Sequence, residues 1–439
     1  MQGERKTLTQ LSVPICLETL FYMLSGMVDT LMLSSVSDQA VGAVGTANTY
    51  IGVFIIMFGV ISSGMVAVMS QNIGAGRPGI AYQARQLGLV FNALTGILMS
   101  VVLAVFSGGI LRAVSIAPAL LESAETYLKI VGGASFLNAL IPIFSSYLRV
   151  FGYTKHSLIG TVVGNVINII LNSVFLFVFH WGVMGVATAT VISKVVNLII
   201  VAAMGAVLIK AKQSPERAQP RKILAQIVKI GFPSAFETAL YNVAMTFIVC
   251  FMNHMDTDGM NVTARSYAMQ IANFSYCVGA ALAQANAIMT GWRIGAKKYE
   301  ECDRGTRKAV IYGLVTATCF SVTFAITGRF IVHIFTNDIQ MIELVVKLLV
   351  VDIFLEFGRV TNLVYGQALK TSGDAIFPVI MGAIFMYLFA VGGTYFLGIH
   401  MGLLAVGAYI AMAGDECARA VGMVLRWKSG KWKSKSLVE

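Results

Sequence analysis

Twelve apolar stretches, each long enough to cross a bilayer, recur along this 439-residue chain between Leu8 and Leu425. A membrane-spanning helix needs ~20 predominantly apolar residues. The stretches fall at roughly 8–34, 40–69, 83–107, 119–147, 157–179, 183–209, 224–252, 262–290, 309–334, 340–368, 376–397 and 402–425. Charged residues make up only 12% of the chain, whereas soluble domains carry about 25%. A wetted globular surface is therefore excluded. Lipid offers no partners to open backbone groups, and the alternating strands of a membrane barrel are absent, so each stretch is expected to be a helix.

The net charge of +11 resides outside these stretches. Arg5 and Lys6 precede the first span. Arg77 and Arg85 follow the second, and Arg149 and Lys155 the fourth. Lys210, Lys212, Arg217, Arg221 and Lys222 follow the sixth, and Arg293, Lys297, Lys298, Arg304, Arg307 and Lys308 the eighth. Lys370 follows the tenth, and Arg426, Lys428, Lys431, Lys433 and Lys435 end the chain. The loops at 35–39, 112–118, 180–181, 254–259, 336–338 and 398–400 are poor in basic residues. Basic loops stay on the cytoplasmic side, so both termini are expected inside. This alternation is a membrane pattern and not a nucleic-acid groove. Trp427 and Trp432, set among the terminal lysines, read as an interfacial anchor. The polar residues before Leu8 are not followed by a cleavage signal, so the first stretch is expected to be a genuine span.

The chain repeats itself. Pro14, Glu18, Thr19 and Tyr22 recur at the same spacing as Pro233, Glu237, Thr238 and Tyr241. Ile73-Gly74-Ala75 returns as Ile294-Gly295-Ala296, and His180 with Gly182 and Val186 as His400 with Gly402 and Val406. The offset stays near ~220 residues, the signature of an internal duplication. The expected organisation is an N-lobe at 1–210, a cytoplasmic linker at 211–222, a C-lobe at 223–428 and a basic tail at 429–439. Each copy has six spans, so the copies sit the same way up, related by an axis along the membrane normal. The expected fold is all-α integral membrane: twelve transmembrane helices in two parallel six-helix repeats around a central cavity. Transporters use this plan, although duplication also occurs in other membrane proteins.

Ionisable groups inside a span are costly and hence functional candidates. Asp29 has no basic residue within a turn on either side, which makes it the leading candidate for a titratable or cation-binding carboxylate. Glu18, Glu237, Lys129 and Lys194 also fall within spans. Glu356 and Arg359, three apart, share a helix face and can pair locally, as can Asp415, Glu416 and Arg419. Asp352 reads as near a helix end or locally paired. Asn168 and Asn172 share a face of the fifth span, four residues apart, with Asn165 nearby. Their amide oxygens suit either a cation or ordinary interhelical hydrogen bonds. Pro14 and Pro233 either start their helices or let them bend.

Other chemistries find no footing. Gly74-Ala-Gly76-Arg-Pro-Gly79 fits GxGxxG but follows an apolar helix instead of a strand, so a turn is the better reading than a nucleotide site. Six cysteines lie far apart without a CxxC, and neither a disulfide framework nor a zinc site is indicated. There is no Walker A lysine and no HExxH. Asn261-Val-Thr263 fits a glycosylation sequon by chance, against a span.

Val28-Asp29-Thr30, Ser37-Asp38-Gln-Ala-Val-Gly, Ser70-Gln71-Asn-Ile-Gly74-Ala and Gly164-Asn165-Val-Ile-Asn168-Ile-Ile-Leu-Asn172 resemble the multidrug and toxic compound extrusion family, over nearly the whole chain and in order. The Asp415-Glu416 to Trp432 ending resembles a bacterial branch of it. The resemblance implies a secondary antiporter, not an enzyme. It would export amphipathic, often cationic, compounds in exchange for H+ or Na+, as a monomer in the bacterial inner membrane, with no cofactor and no nucleic-acid partner. It implies a cation site, for Na+ if not for H+, at Asp29, Asn168, Asn172 and Thr190, and a helix bend at Pro14. Many relatives have aspartate where this chain has Asn172, and some have a tenth-helix aspartate where it has Arg359, so the coupling ion stays open. Glu237 matches a seventh-helix acid of the family, with Arg359 as a possible partner. Two rivals are a lipid-linked precursor flippase of the same superfamily, for which only Lys129, Lys194 and Arg359 speak, and an intramembrane enzyme or receptor.

Overall fold

The computed structural model describes residues 6–113, 116–211, 214–255 and 258–438. Arg5, Lys212 and parts of the loops at 112–118 and 254–259 lie outside the described residues. Among those described there is no strand, and twelve long helices follow one another. They are α1 (Leu8–Ser34), α2 (Asp38–Gly74), α3 (Pro78–Ala113) and α4, which has two arms, Pro118–Gly132 and Ser135–Val150, bent by 42°. Next come α5 (Thr154–Val178), α6 (Gly182–Leu208), α7 (Pro220–Asn253) and α8 (Met260–Gly295). The last four are α9 (Tyr299–His333), α10 (Ile339–Ser372), α11 (Ile376–His400) and α12 (Leu404–Lys428). A helix covers each expected stretch. Several helices run a turn or more past the apolar stretch, because backbone pairing continues into the charged loops. The glycine-rich segment at 74–79 is the turn between α2 and α3, with Gly76 at φ +75°. The bend in α4 falls at Gly132 and Gly133, beside a π-type turn at Leu128–Gly132, as such breaks in the hydrogen-bond ladder require.

The chain forms two compact units. One comprises Val13–Phe232, the other Pro233–Glu439 together with Thr7–Ser12. The changeovers fall one residue before Pro14 in α1 and at Pro233 in α7, and both helices continue through their proline.

Helix faces are sorted as lipid demands. α3 buries Gly88, Asn92, Gly96, Ser100 and Ser107, while Val90, Leu94, Leu98, Val101 and Val105 are exposed. Small and polar residues face the protein and large apolar ones face outward, the reverse of a soluble helix. Among the described residues, eight helices are long and apolar enough to cross a membrane singly, and bent α4 makes a ninth. The remaining three, α8, α10 and α12, carry Arg265, Asp352, Glu356, Arg359, Asp415, Glu416 and Arg419. These three pack on one another, α10 against both α8 and α12, which keeps their charges from hydrocarbon.

Close helix crossings position the polar residues. Gly160, Gly164, Asn168 and Asn172 form one buried stripe of α5. A Cβ at Gly160 would stand 2.6 Å from Val201 and 2.7 Å from Asn197 of α6. The glycines thus press α5 onto α6, and the two amides continue along that seam. In the second unit, a Cβ at Gly358 of α10 would lie 2.6 Å from the Cys417 backbone nitrogen of α12, so Arg359 and Glu416 face each other across a backbone contact.

The expected interfacial tryptophans are instead interior. Trp427 and Trp432 are 2% and 1% exposed, with rings stacked 4.2 Å apart. Trp427 donates to Asp303 (2.8 Å) and Trp432 to the Trp427 carbonyl (2.9 Å). With both ring N–H groups satisfied by protein, burial costs nothing in hydrogen bonding, and the tail packs onto its own unit.

Gly160→Leu and Gly358→Leu are each expected to destabilise the protein by about 1–3 kcal/mol through overpacking, seen as a lower Tm in detergent. Gly109→Leu, whose side chain enters open space, should leave Tm near that of the parent.

Candidate ion site and charged cavity

In the first unit, Asp29 of α1 is half-buried and meets α5 directly. Asn172 donates its amide to Asp29 Oδ1 at 2.6 Å and lies 3.2 Å from Asn168 Oδ1. The first contact is short, as charge-assisted hydrogen bonds are. Asn168 and Asn172 are 3% and 0% exposed, and Asn172 Oδ1 is buried without a partner. Thr190 of α6, also buried, bonds back to the Val186 carbonyl (2.8 Å). Its side chain interacts with Tyr127 of α4, which also interacts with Asn48 and with Asp29. The carboxylate, the amides and the threonine expected from the sequence therefore belong to one region, and Tyr127 is an addition that no spacing signalled. Asn165 does not join them, since its amide bonds the Phe21 carbonyl of α1 (2.7 Å). Lys194 interacts with Asp29 through space and donates to Asn138 (2.9 Å). The Asp29 carboxylate and the Asn168 and Asn172 amide oxygens are hard ligands, suited to a proton or a small hard cation.

Earlier in α1, Glu18 is held by Arg149 at 2.8 Å and accepts from Ser157 at 2.9 Å and Thr161 at 3.4 Å. In the second unit, Glu237 of α7 pairs with Lys370 at 2.5 Å. Glu18 and Glu237 are equivalent in the repeat, and so are Arg149 and Lys370. Both bases follow apolar stretches in the sequence, as loop residues do, yet each reaches back to an acid one turn past a repeat proline. Their shared offset was the available signal.

Glu237 belongs to Lys370, and Arg359 pairs with Glu356, with Glu416 at 3.8 Å. Three-residue spacing wins because it needs no long reach. Arg419 pairs with Asp415 at 2.6 Å and with Glu416 at 2.9 Å, and Asn362 donates to Glu416 at 2.9 Å. Asp352 departs from expectation: it is 3% exposed, lies in mid-helix, and no ion pair involves it among the described residues. Glu237, Asp352, Arg359, Lys370, Glu416 and Arg419 line a cavity of about 420 Å³ within this unit.

The sequence pattern of the MatE family matches residues 14–174 and again 233–396, once in each repeat. The chain belongs to the MatE family. It is 32% identical over 437 residues to the uncharacterized transporter YisQ of Bacillus subtilis (strain 168), covering 98% of this chain and 96% of that one. It is 26% identical over 456 residues to a "probable multidrug resistance protein NorM" of Thermotoga maritima, covering 99% and 94%. A crystal structure of MATE in the bent conformation shares its fold, with a TM-score of 0.88 at 18% identity, over 98% of this chain and 97% of that one. MatE proteins are transporters and not enzymes, so the intramembrane-enzyme reading is set aside. This MatE protein is a multi-pass membrane transporter.

The Glu18–Arg149 pair lends itself to a double-mutant cycle. Arg149→Met should cost about 1–3 kcal/mol, the price of a buried acid left short of its partner, and adding Glu18→Gln should recover most of it. Additive losses in Tm across the cycle would mean that the two side chains stabilise the unit independently.

Proposed function

We propose that this transporter is a secondary antiporter that exports amphipathic, often cationic, organic compounds in exchange for H+ or Na+ by alternating access. Asp29 is its coupling carboxylate, and Asn168, Asn172 and Thr190 complete the ion site. It works as a monomer in the bacterial inner membrane, with both termini cytoplasmic. The observation that carries the reading is the Asp29–Asn172 contact at 2.6 Å beside the unpartnered Asn172 Oδ1. A proton or Na+ arriving at Asp29 changes the charge that the Asn172 amide answers, and an incoming cation gains the free amide oxygen as a ligand. Either event alters the bond between α1 and α5, and Pro14 gives α1 a point at which to respond. Coupling requires only that the ion bind the two states of the transporter unequally.

The efflux reading is favoured over a lipid-precursor flippase by the fate of the three cations that spoke for the flippase. Lys129 pairs with Glu125 at 2.6 Å, Arg359 with Glu356, and Lys194 is engaged by Asn138.

The test is dye transport by purified protein in proteoliposomes under separately imposed proton and sodium gradients. One gradient should drive wild-type flux. Asp29→Asn should fall to the level of protein-free vesicles, while Lys194→Ala keeps gradient-driven flux. Undiminished coupled transport in Asp29→Asn removes Asp29 from the mechanism.

A further inference from the structure

The charges lining the second unit's cavity can be accounted for one by one. Lys370, Arg359 and Arg419 each hold a carboxylate. Arg265 of α8 lines the same cavity and is 8% exposed, yet among the described residues no carboxylate lies within ion-pair distance of it. One terminal nitrogen meets the Met245 sulfur at 3.8 Å, a weak acceptor, and its Nε has no partner. A buried guanidinium without an anion is among the costliest arrangements a protein can keep. Its planar fork of N–H donors matches a carboxylate or similar oxyanion. Around it, Met245, Met269, Met386, Met412, Tyr276 and Tyr409 give the cavity adaptable apolar walls, of the kind that receive varied hydrophobic bodies. The volume, about 420 Å³, falls in the range of drug-sized sites.

We infer that Arg265 anchors an anionic group, a carboxylate or comparable oxyanion, on the amphiphile that this cavity takes. The inference rests on the efflux reading for its meaning in transport, since that reading supplies the amphiphile, but the site can be tested by binding alone. The internal competitor is Asp352, which also lines the cavity and has no ion pair among the described residues.

Purified full-length protein in detergent is titrated by fluorescence anisotropy with one xanthene dye in two forms, the free carboxylate and its ethyl ester. Wild type should bind the carboxylate at least about tenfold more tightly than the ester, the usual worth of a charged hydrogen bond. Arg265→Met should bring that ratio to near one, and Arg265→Lys should retain part of it. Without dye, Arg265→Met should melt no lower than wild type, because it removes an unpaired buried charge. Equal binding of the two forms by wild type, or a preference surviving in Arg265→Met, overturns the inference. So does a lower Tm in Arg265→Met that Asp352→Asn restores, since Arg265 then serves Asp352. Vesicle flux separates the two readings. Carboxylate preference without ion-driven flux of either dye defeats the exporter and leaves the site standing, whereas driven flux of the ester with no carboxylate preference does the reverse.

Discussion

A charge carried on a membrane-spanning helix must find a counter-charge, a hydrogen-bonding partner or a cavity, because hydrocarbon supplies none of these. The arrangement of this chain follows from that cost. α8, α10 and α12, too polar to face lipid readily, pack on one another in the second unit. Arg359 and Arg419 take Glu356, Asp415 and Glu416 as partners there. Glu18 and Glu237 each draw in a base from the end of a distant helix. Asp29 and Arg265 have no ion pair among the described residues, and to these two the proposals assign work.

The duplication explains both the likeness of the two units and their division of labour. The acid one turn after the repeat proline, and the base that meets it, are retained in each copy. Around them the copies diverge. Ser157 and Thr161 hold Glu18 with hydroxyls, whereas the equivalent positions beside Glu237 are Pro378 and Gly382, both lining the open cavity. Asp29 has Ile248 as its counterpart, a fully buried core residue. One copy thus keeps a compact oxygen-rich site and the other a charged cavity with methionine walls.

The helices were legible in the sequence because span length and backbone satisfaction leave few alternatives. The stripe that carries Asn168 and Asn172 was legible as a four-residue spacing, though not that Gly160 and Gly164 press it onto α6. Pairs three or four apart, Glu356 with Arg359 and Asp415 with Arg419, could be read directly, since helix geometry brings them together. Pairs between distant helices could not. Arg149 and Lys370 looked like orienting loop charges, and only packing reveals that their long side chains reach back to an acid. Trp427 and Trp432 misled for a related reason: an indole flanked by lysines fits an interface equally well as a buried stack, and the choice depends on Asp303, more than a hundred residues away.

The central claim is that ion and amphiphile exchange through Asp29. Coupling is reciprocal, so a driven amphiphile must move the ion. The most direct measurement is therefore ion movement in proteoliposomes that contain only an amphiphile gradient, followed with an internal pH dye and with a sodium tracer. The account predicts wild-type movement of H+ or Na+ opposite to the amphiphile, and none in Asp29→Asn. Amphiphile flux that moves neither ion, or ion movement that persists in Asp29→Asn, would contradict it.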